Sequence, residues 1–362
     1  MTWMRAVGIS QPSMGQIYKC STRLGKDPPF LELQQRFQMA ADENEATHYE
    51  RMAPLALHIL GYGQPAQTSL DPDEADFLLF DSSGMDHHLQ HGIQDKPVVF
   101  RDRQAFLQRP SISKMSMLRD LKDTGPILDV QDLGRATKIE NLYQPAITLM
   151  PAEEVLSRFK YPTKHPINLL NLSVSVDGLV PQPIARHCTL LATTLDQAEI
   201  RARQIYDPRT SAIEKGLMTT PHPANFWNCS KWRIFGQAGA ISGFHVDNNG
   251  VSTWVTLESN DTTVGEGLKR AIAPVDHICS LSDDESVLKL WVFIRLDNLP
   301  PDEQRKAIEG FICEGEIWMP EPRCIKILAL IRGDTAMFPP NTIHAPITVT
   351  DSLFTGGMVM QG

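Results

Sequence analysis

Between positions 30 and 60, apolar residues recur at helical spacing: Leu31, Leu33, Phe37 and Ala40, then Met52, Leu55, Ile59 and Leu60. Residues three or four apart share one helix face, so the stretch predicts one or two helices. Residues 1–28 carry no clear periodicity, Asp27-Pro28-Pro29 stops regular structure, and Gly61-Tyr62-Gly63-Gln64-Pro65 closes the helical block. Residues 96–100 form a short strand candidate. Pro151 with Glu153 and Glu154 reads as a helix start, a proline at or near the first position followed by acidic residues in the first turn. From 167 onward the period shortens. Apolar runs at 167–172, 189–192, 233–235, 251–257, 288–294, 325–331 and 354–360, separated by turn residues, predict an antiparallel β barrel or sandwich. One helix is predicted between them near 195–206. The polar stretch 258–286 splits two strand candidates and reads as a surface insertion. The expected organisation is a largely helical N-terminal region over 1–95 and a β domain over 96–362, without internal repeats.

Composition narrows the class. The 362 residues are 42% hydrophobic, enough for a large core in one or two domains. A formal net charge of −9 argues against nucleic acid or an anionic membrane as partner through a broad basic surface. No run reaches the roughly eighteen uninterrupted apolar residues that span a bilayer, and the N-terminus has no secretory apolar region with a cleavage site. Cys20, Cys188, Cys229, Cys279, Cys313 and Cys324 are scattered without CxxC spacing. They read as reduced thiols, so a cytoplasmic protein is expected.

The chemistry concentrates in the C-terminal half. His245-Val246-Asp247 is followed, after Phe338-Pro339-Pro340-Asn341-Thr342-Ile343, by His344. Two imidazoles and a carboxylate are the ligand set of the facial triad, which holds Fe(II) on one side and leaves the opposite positions open. In an extended strand, residues i and i+2 point the same way, so His245 and Asp247 can reach one ion while Val246 faces away. A distant strand must supply His344. An HxD alone is a weak signal. The flanking text sharpens it: Trp232-Arg233-Ile234-Phe235 and a small-residue turn before the pair, Thr253-Trp254 after it, then Lys289-Leu290-Trp291, Gly333-Asp334, Pro339-Pro340 and Gly356-Gly357.

In this ordered combination the sequence resembles the JmjC branch of the cupin-type, iron- and 2-oxoglutarate-dependent oxygenases, and within it the compact fungal members without chromatin-reading modules. The resemblance covers roughly residues 150–362, and 75–150 more loosely. It implies a mainly β fold with α elements, a double-stranded β-helix (jelly-roll) core, and Fe(II) on His245, Asp247 and His344, with 2-oxoglutarate and O2 as cosubstrates. It further implies Lys289 as the cation for the distal carboxylate of 2-oxoglutarate, with Lys269 in the insertion as competitor and Thr253 and Ser242 as hydroxyl donors. Phe244, Trp254 and Ile343 are candidates for a substrate wall, each also readable as core. Arg233, Arg295 or Arg332 is a candidate grip for a substrate carboxylate, each also readable as a solvated arginine. The expected substrate is a small molecule of fungal specialised metabolism. The narrowest likeness is to aziridine-forming oxygenases acting on valine, so hydroxylation and oxidative ring closure of an amino acid both stand open. Alternatives are a peptide or protein hydroxylase and a non-catalytic cupin-fold binding protein. Exposed strand edges make a homodimer plausible.

His87 and His91, and Glu43, Glu45 and His48, read as solvated groups rather than ligands. The chain holds no P-loop, GxGxxG or GxSxG motif.

Overall fold

Two helices, α1 (Pro28–Ala41) and α2 (His48–Tyr62), account for the predicted helical block. The second begins at a capping box: the Thr47 hydroxyl accepts from the Glu50 amide at 3.3 Å, and the Glu50 carboxylate accepts from the Thr47 amide at 3.0 Å. Shorter helices follow: α3 (Ser82–Gln90), α4 (Ala152–Lys160), α5 (Gln182–His187) and α6 (Pro301–Glu314). The computed structural model describes residues 28–43, 45–90, 96–101, 121, 126–139, 142–144, 146–172, 180–187, 232–247, 252–259 and 287–359. The helix expected near 195–206, the strand at 189–192, most of the 258–286 insertion, Lys269 and His91 lie outside them. His87, expected among solvated groups, sits on α3.

The strands are β1 (Gln64–Pro65), β2 (Thr68–Ser69), β3 (Phe77–Phe80), β4 (Val98–Arg101), β5 (Ile127–Asp132), β6 (Lys138–Ile139), β7 (Leu142–Tyr143), β8 (Ile147–Pro151), β9 (Ile167–Leu172), β10 (Trp232–Gly236), β11 (Ser252–Ser259), β12 (Val287–Ile294), β13 (Ile325–Ile331), β14 (Asp334–Phe338), β15 (His344–Thr348) and β16 (Ser352–Val359). They form a large sheet ordered β2-β3-β4-β14-β11-β16-β10-β9-β5-β8 and a small one ordered β1-β13-β12-β15, with β6 and β7 as a separate pair. The molecule is therefore mainly β with helices. The segment 240–247 adds to the free edge of β15 through bridges Ile241↔Ile347 and His245↔His344. From β10 to β16 the chain passes between the two sheets, so successive strands seldom share a sheet. The expected division at 95/96 falls between β3 and β4, which pair in parallel.

Side-chain alternation explains the layering. On β12, Leu290, Val292 and Ile294 join the core under α1 and α2, beside Phe37, Met52, Leu55 and Ile59. Trp291 and Phe293 point the opposite way, into a second cluster with Val255, Phe338 and Phe354 of the large sheet. From Leu290 to Ile294 every position of β12 is therefore used, one parity against helices and the other between sheets.

One glycine sets the turn between β13 and β14. Gly333 turns the chain from β13 to β14 at φ +88°, a conformation that L side chains rarely adopt. Asp334 then accepts the Arg101 guanidinium at 2.6 and 2.8 Å and the Ile331 amide at 3.1 Å, locking that turn to β4. The Gly333-Asp334 motif thus does structural work at the back of the sheet. Among the described residues, no helix is long and apolar enough to cross a membrane.

Candidate metal centre

His245, Asp247 and His344 converge. Their ligand atoms lie within 4.8 Å of one another and can hold a metal ion. Nε2 of His245 is 4.0 Å and Nε2 of His344 is 3.8 Å from the Asp247 carboxylate.

The backbone prepares both imidazoles. His245 Nδ1 lies 2.8 Å from the Gly243 carbonyl and His344 Nδ1 lies 2.9 Å from the Thr342 carbonyl. A carbonyl only accepts, so each Nδ1 carries the proton and each Nε2 presents its lone pair to the shared space. His344 is further fixed by stacking on Trp291 at 5.3 Å and on Phe338 at 6.0 Å. Burial, reinforced by the neighbouring His245, holds its pKa well below the ordinary imidazole value, against the pull of Asp247. The ring is thereby kept neutral, the form that binds metal.

Local sequence explains the placement. A Cβ at Gly243 would stand 2.2 Å from the Glu316 carbonyl oxygen, so only glycine admits this close approach. The Phe244 amide donates to that same oxygen at 3.0 Å, and the His245 and His344 amides exchange hydrogen bonds of 3.0 Å with each other's carbonyls. Ligand segment and ligand strand are thus tied together by backbone before any metal arrives.

All three residues open on one cavity of about 450 Å³. Lys289, Thr253 and Ser242, expected beside them, line the same cavity. Lys289 is 3% exposed, and its ammonium lies 4.1 Å from the centre of the Phe354 ring. Burial pulls its pKa down to about 7, with no charged partner among the described residues. Thr253 Oγ1 and Trp291 Nε1 are buried without a hydrogen-bond partner. The cavity lining therefore combines a buried lysine with unsatisfied polar groups, which a bound carboxylate would complement.

The remaining expected residues lie elsewhere. Trp232 and Ile234 line the cavity, so Arg233 between them points through the sheet to the other face. Trp254, flanked by the lining residues Thr253 and Val255, packs outward with Leu78, Val98 and Met337. Phe244 is core, edge-on to Trp318 at 5.8 Å, and Ile343 packs against the same core. Arg295 is engaged by Asp297 and Asp76 and Arg332 reaches the Glu258 carbonyl, neither of them at the cavity. His48, read as solvated, is buried and 3.2 Å from Glu316.

Three lining residues had no signal in the sequence: Gln131, Asn168 and Glu316. Glu316 meets His48 at 3.2 Å and Arg51 at 3.8 Å, and the hydrogen bond from His48 holds its carboxyl below the usual range. No family model matches the chain, and no curated relative matches it.

Proposed function

We propose that this chain is an Fe(II)- and 2-oxoglutarate-dependent oxygenase of the JmjC/cupin type that oxidises an unactivated C–H bond of a small molecule. The observation that carries the reading is the pairing, in one cavity, of two kinds of preparation. Two imidazoles are held by backbone carbonyls with Nε2 turned to a carboxylate. A buried lysine has no counterion among the described residues. A purely structural cluster needs neither. The strand order supports a double-stranded β-helix: β10, β11, β14 and β16 lie in one sheet while 240–247, β12, β13 and β15 face them in the other.

The residues fit the implied groups. His245, Asp247 and His344 would hold the ferrous ion, and a donor set of two neutral nitrogens and one carboxylate suits it. Lys289 would take the distal carboxylate of 2-oxoglutarate, with the Thr253 hydroxyl completing the anchor. When bound, ion and cosubstrate supply an oxidant from dioxygen strong enough to break a C–H bond, with succinate and carbon dioxide as co-products. The protein's own share is placement and exclusion. Trp291 and Phe338 fix the His344 ring, Gly243 fixes the His245 segment, and Trp232, Ile234 and Phe354 present apolar surface that keeps water from the reacting carbon. A cavity of about 450 Å³ falls in the range of small-molecule sites, about 300–1,000 Å³.

Succinate release from 2-oxoglutarate under air tests the proposal. It should require Fe(II) and vanish in His245→Ala and in His344→Ala. Turnover that survives either variant would reject this site as the catalytic one.

A further inference from the structure

The cavity has a second polar wall that the metal and 2-oxoglutarate leave unused. Strands β5, β9 and β10 pair with Gln131 opposite Asn168 and Asn168 opposite Gly236. The two carboxamides therefore stand side by side on the cavity face. Asn168 Nδ2 donates to Gln131 Oε1 at 3.2 Å, and the Ser242 hydroxyl donates to the same oxygen at 3.2 Å. Those two bonds fill the lone pairs of the Gln131 carbonyl. What remains is one acceptor atom beside unused N–H groups, two on Gln131 Nε2 and the second on Asn168 Nδ2. Asn168 Oδ1 is buried with no hydrogen-bond partner among the described residues, in a residue only 4% exposed. Gln131 Nε2 donates to no described residue. Exchanging oxygen and nitrogen in both amides leaves the same kind of remainder, N–H donors beside one acceptor atom.

Buried polar groups are nearly always satisfied, so this remainder asks for a ligand. We propose that Gln131, Asn168 and Ser242 form a specificity wall for a substrate bearing a carboxamide-type group, an amide or lactam that offers an N–H and a C=O side by side. The inference rests on the oxygenase reading and names the substrate class for its site. A carboxylate is the wrong complement, since it brings acceptors alone and one of them would face the Asn168 carbonyl. That same logic separates the wall from the 2-oxoglutarate anchor, where Lys289 supplies the positive charge. Leu170, Ile234 and Ile147 line the cavity beside the amides and give the substrate hydrocarbon an apolar bed. A site built to hydrogen-bond a substrate group rejects analogues lacking it, because its own buried groups are then left unpaired.

The test uses three small probes on the full-length chain: 2-pyrrolidinone, cyclopentanone and butyrate, titrated by saturation-transfer NMR with 2-oxoglutarate present. The lactam should bind about tenfold more tightly than the ketone, which lacks the N–H, or the carboxylate. Gln131→Glu keeps the side-chain shape but removes the spare Nε2 donor, and Asn168→Asp removes the N–H that holds the Gln131 carbonyl in place; each should erase that preference. The anaerobic visible band of the Fe(II)–2-oxoglutarate chelate is recorded on the same samples. A preserved lactam preference without the band would defeat the oxygenase reading and leave the wall standing. Equal binding of the three probes by the native chain, or a preference that survives both variants, overturns the wall. So does a variant that raises the 2-oxoglutarate requirement while lactam binding stays unchanged, because the amides would then serve the cosubstrate.

Discussion

Replacing Lys289 with methionine should make the protein more stable. The residue is 3% exposed and has no anionic partner among the described residues, and burial brings its pKa to about 7 from an ordinary 10.5. A lysine with a depressed folded-state pKa binds fewer protons when folded than when unfolded between those two values. Stability therefore rises with pH across that window, and the full penalty applies below about pH 7. The difference corresponds to about 5 kcal/mol. The Phe354 ring, 4.1 Å from the ammonium, returns about 1–2 kcal/mol through its negative face. Methionine fills a similar volume without charge, so a net gain of about 3 kcal/mol is expected near pH 7. That gain should shrink steadily toward pH 10.5. Urea unfolding of the native chain and Lys289→Met at pH 6.5 and pH 9 measures it. The same variant should raise the 2-oxoglutarate concentration needed for the chelate, trading function for stability. A variant less stable than the native chain, or a difference indifferent to pH, would refute the reasoning and make Lys289 a structural residue.

Other sites give expectations of different sign. Gly243→Ala drives a Cβ to 2.2 Å from the Glu316 carbonyl oxygen; it should cost about 1–3 kcal/mol by thermal unfolding and weaken iron retention about tenfold or more. Iron content after desalting checks the second part. Asp334→Ala breaks a buried carboxylate pair far from the cavity. Because Arg101 is 31% exposed and can turn to water, about 2–3 kcal/mol should be lost, with iron binding at the native level in whatever remains folded. Native 2-oxoglutarate binding should itself take up protons at pH 8, as Lys289 must be charged to meet a carboxylate. Calorimetry in buffers of different ionisation enthalpy reads that uptake, and heats independent of buffer would contradict it.

Much of the site was legible because its information is local. The i, i+2 spacing of His245 and Asp247, and a histidine after a proline-rich turn, need only short segments to be recognised. The strands with strong apolar runs, such as β12 and β13, were equally plain. Parity was the first thing missed. Thr253 and Trp254 were both candidates, yet neighbours on a strand face opposite ways, and only register decides which enters the cavity. Arg233 failed to reach the cavity for the same reason. The second miss was distance along the chain. Gln131 and Asn168 lie on strands that carry no chemical motif, and Glu316 arrives on a short turn after α6. Only the backbone fit of Gly243 against residue 316 brings that carboxylate to the site, and no spacing rule expresses such a fit. The Gly333-Asp334 pair was read as part of the family text. Its observed role is a turn and an ion pair with Arg101.

Anaerobic addition of Fe(II) and 2-oxoglutarate, followed by visible absorption, tests the central claim most directly, with Asp247→Ala as control. A weak charge-transfer band in the native chain that is absent from the variant is the predicted result. No band and no retained iron in the native chain would contradict the account and leave a β-sheet protein whose His245, Asp247 and His344 meet without a metal.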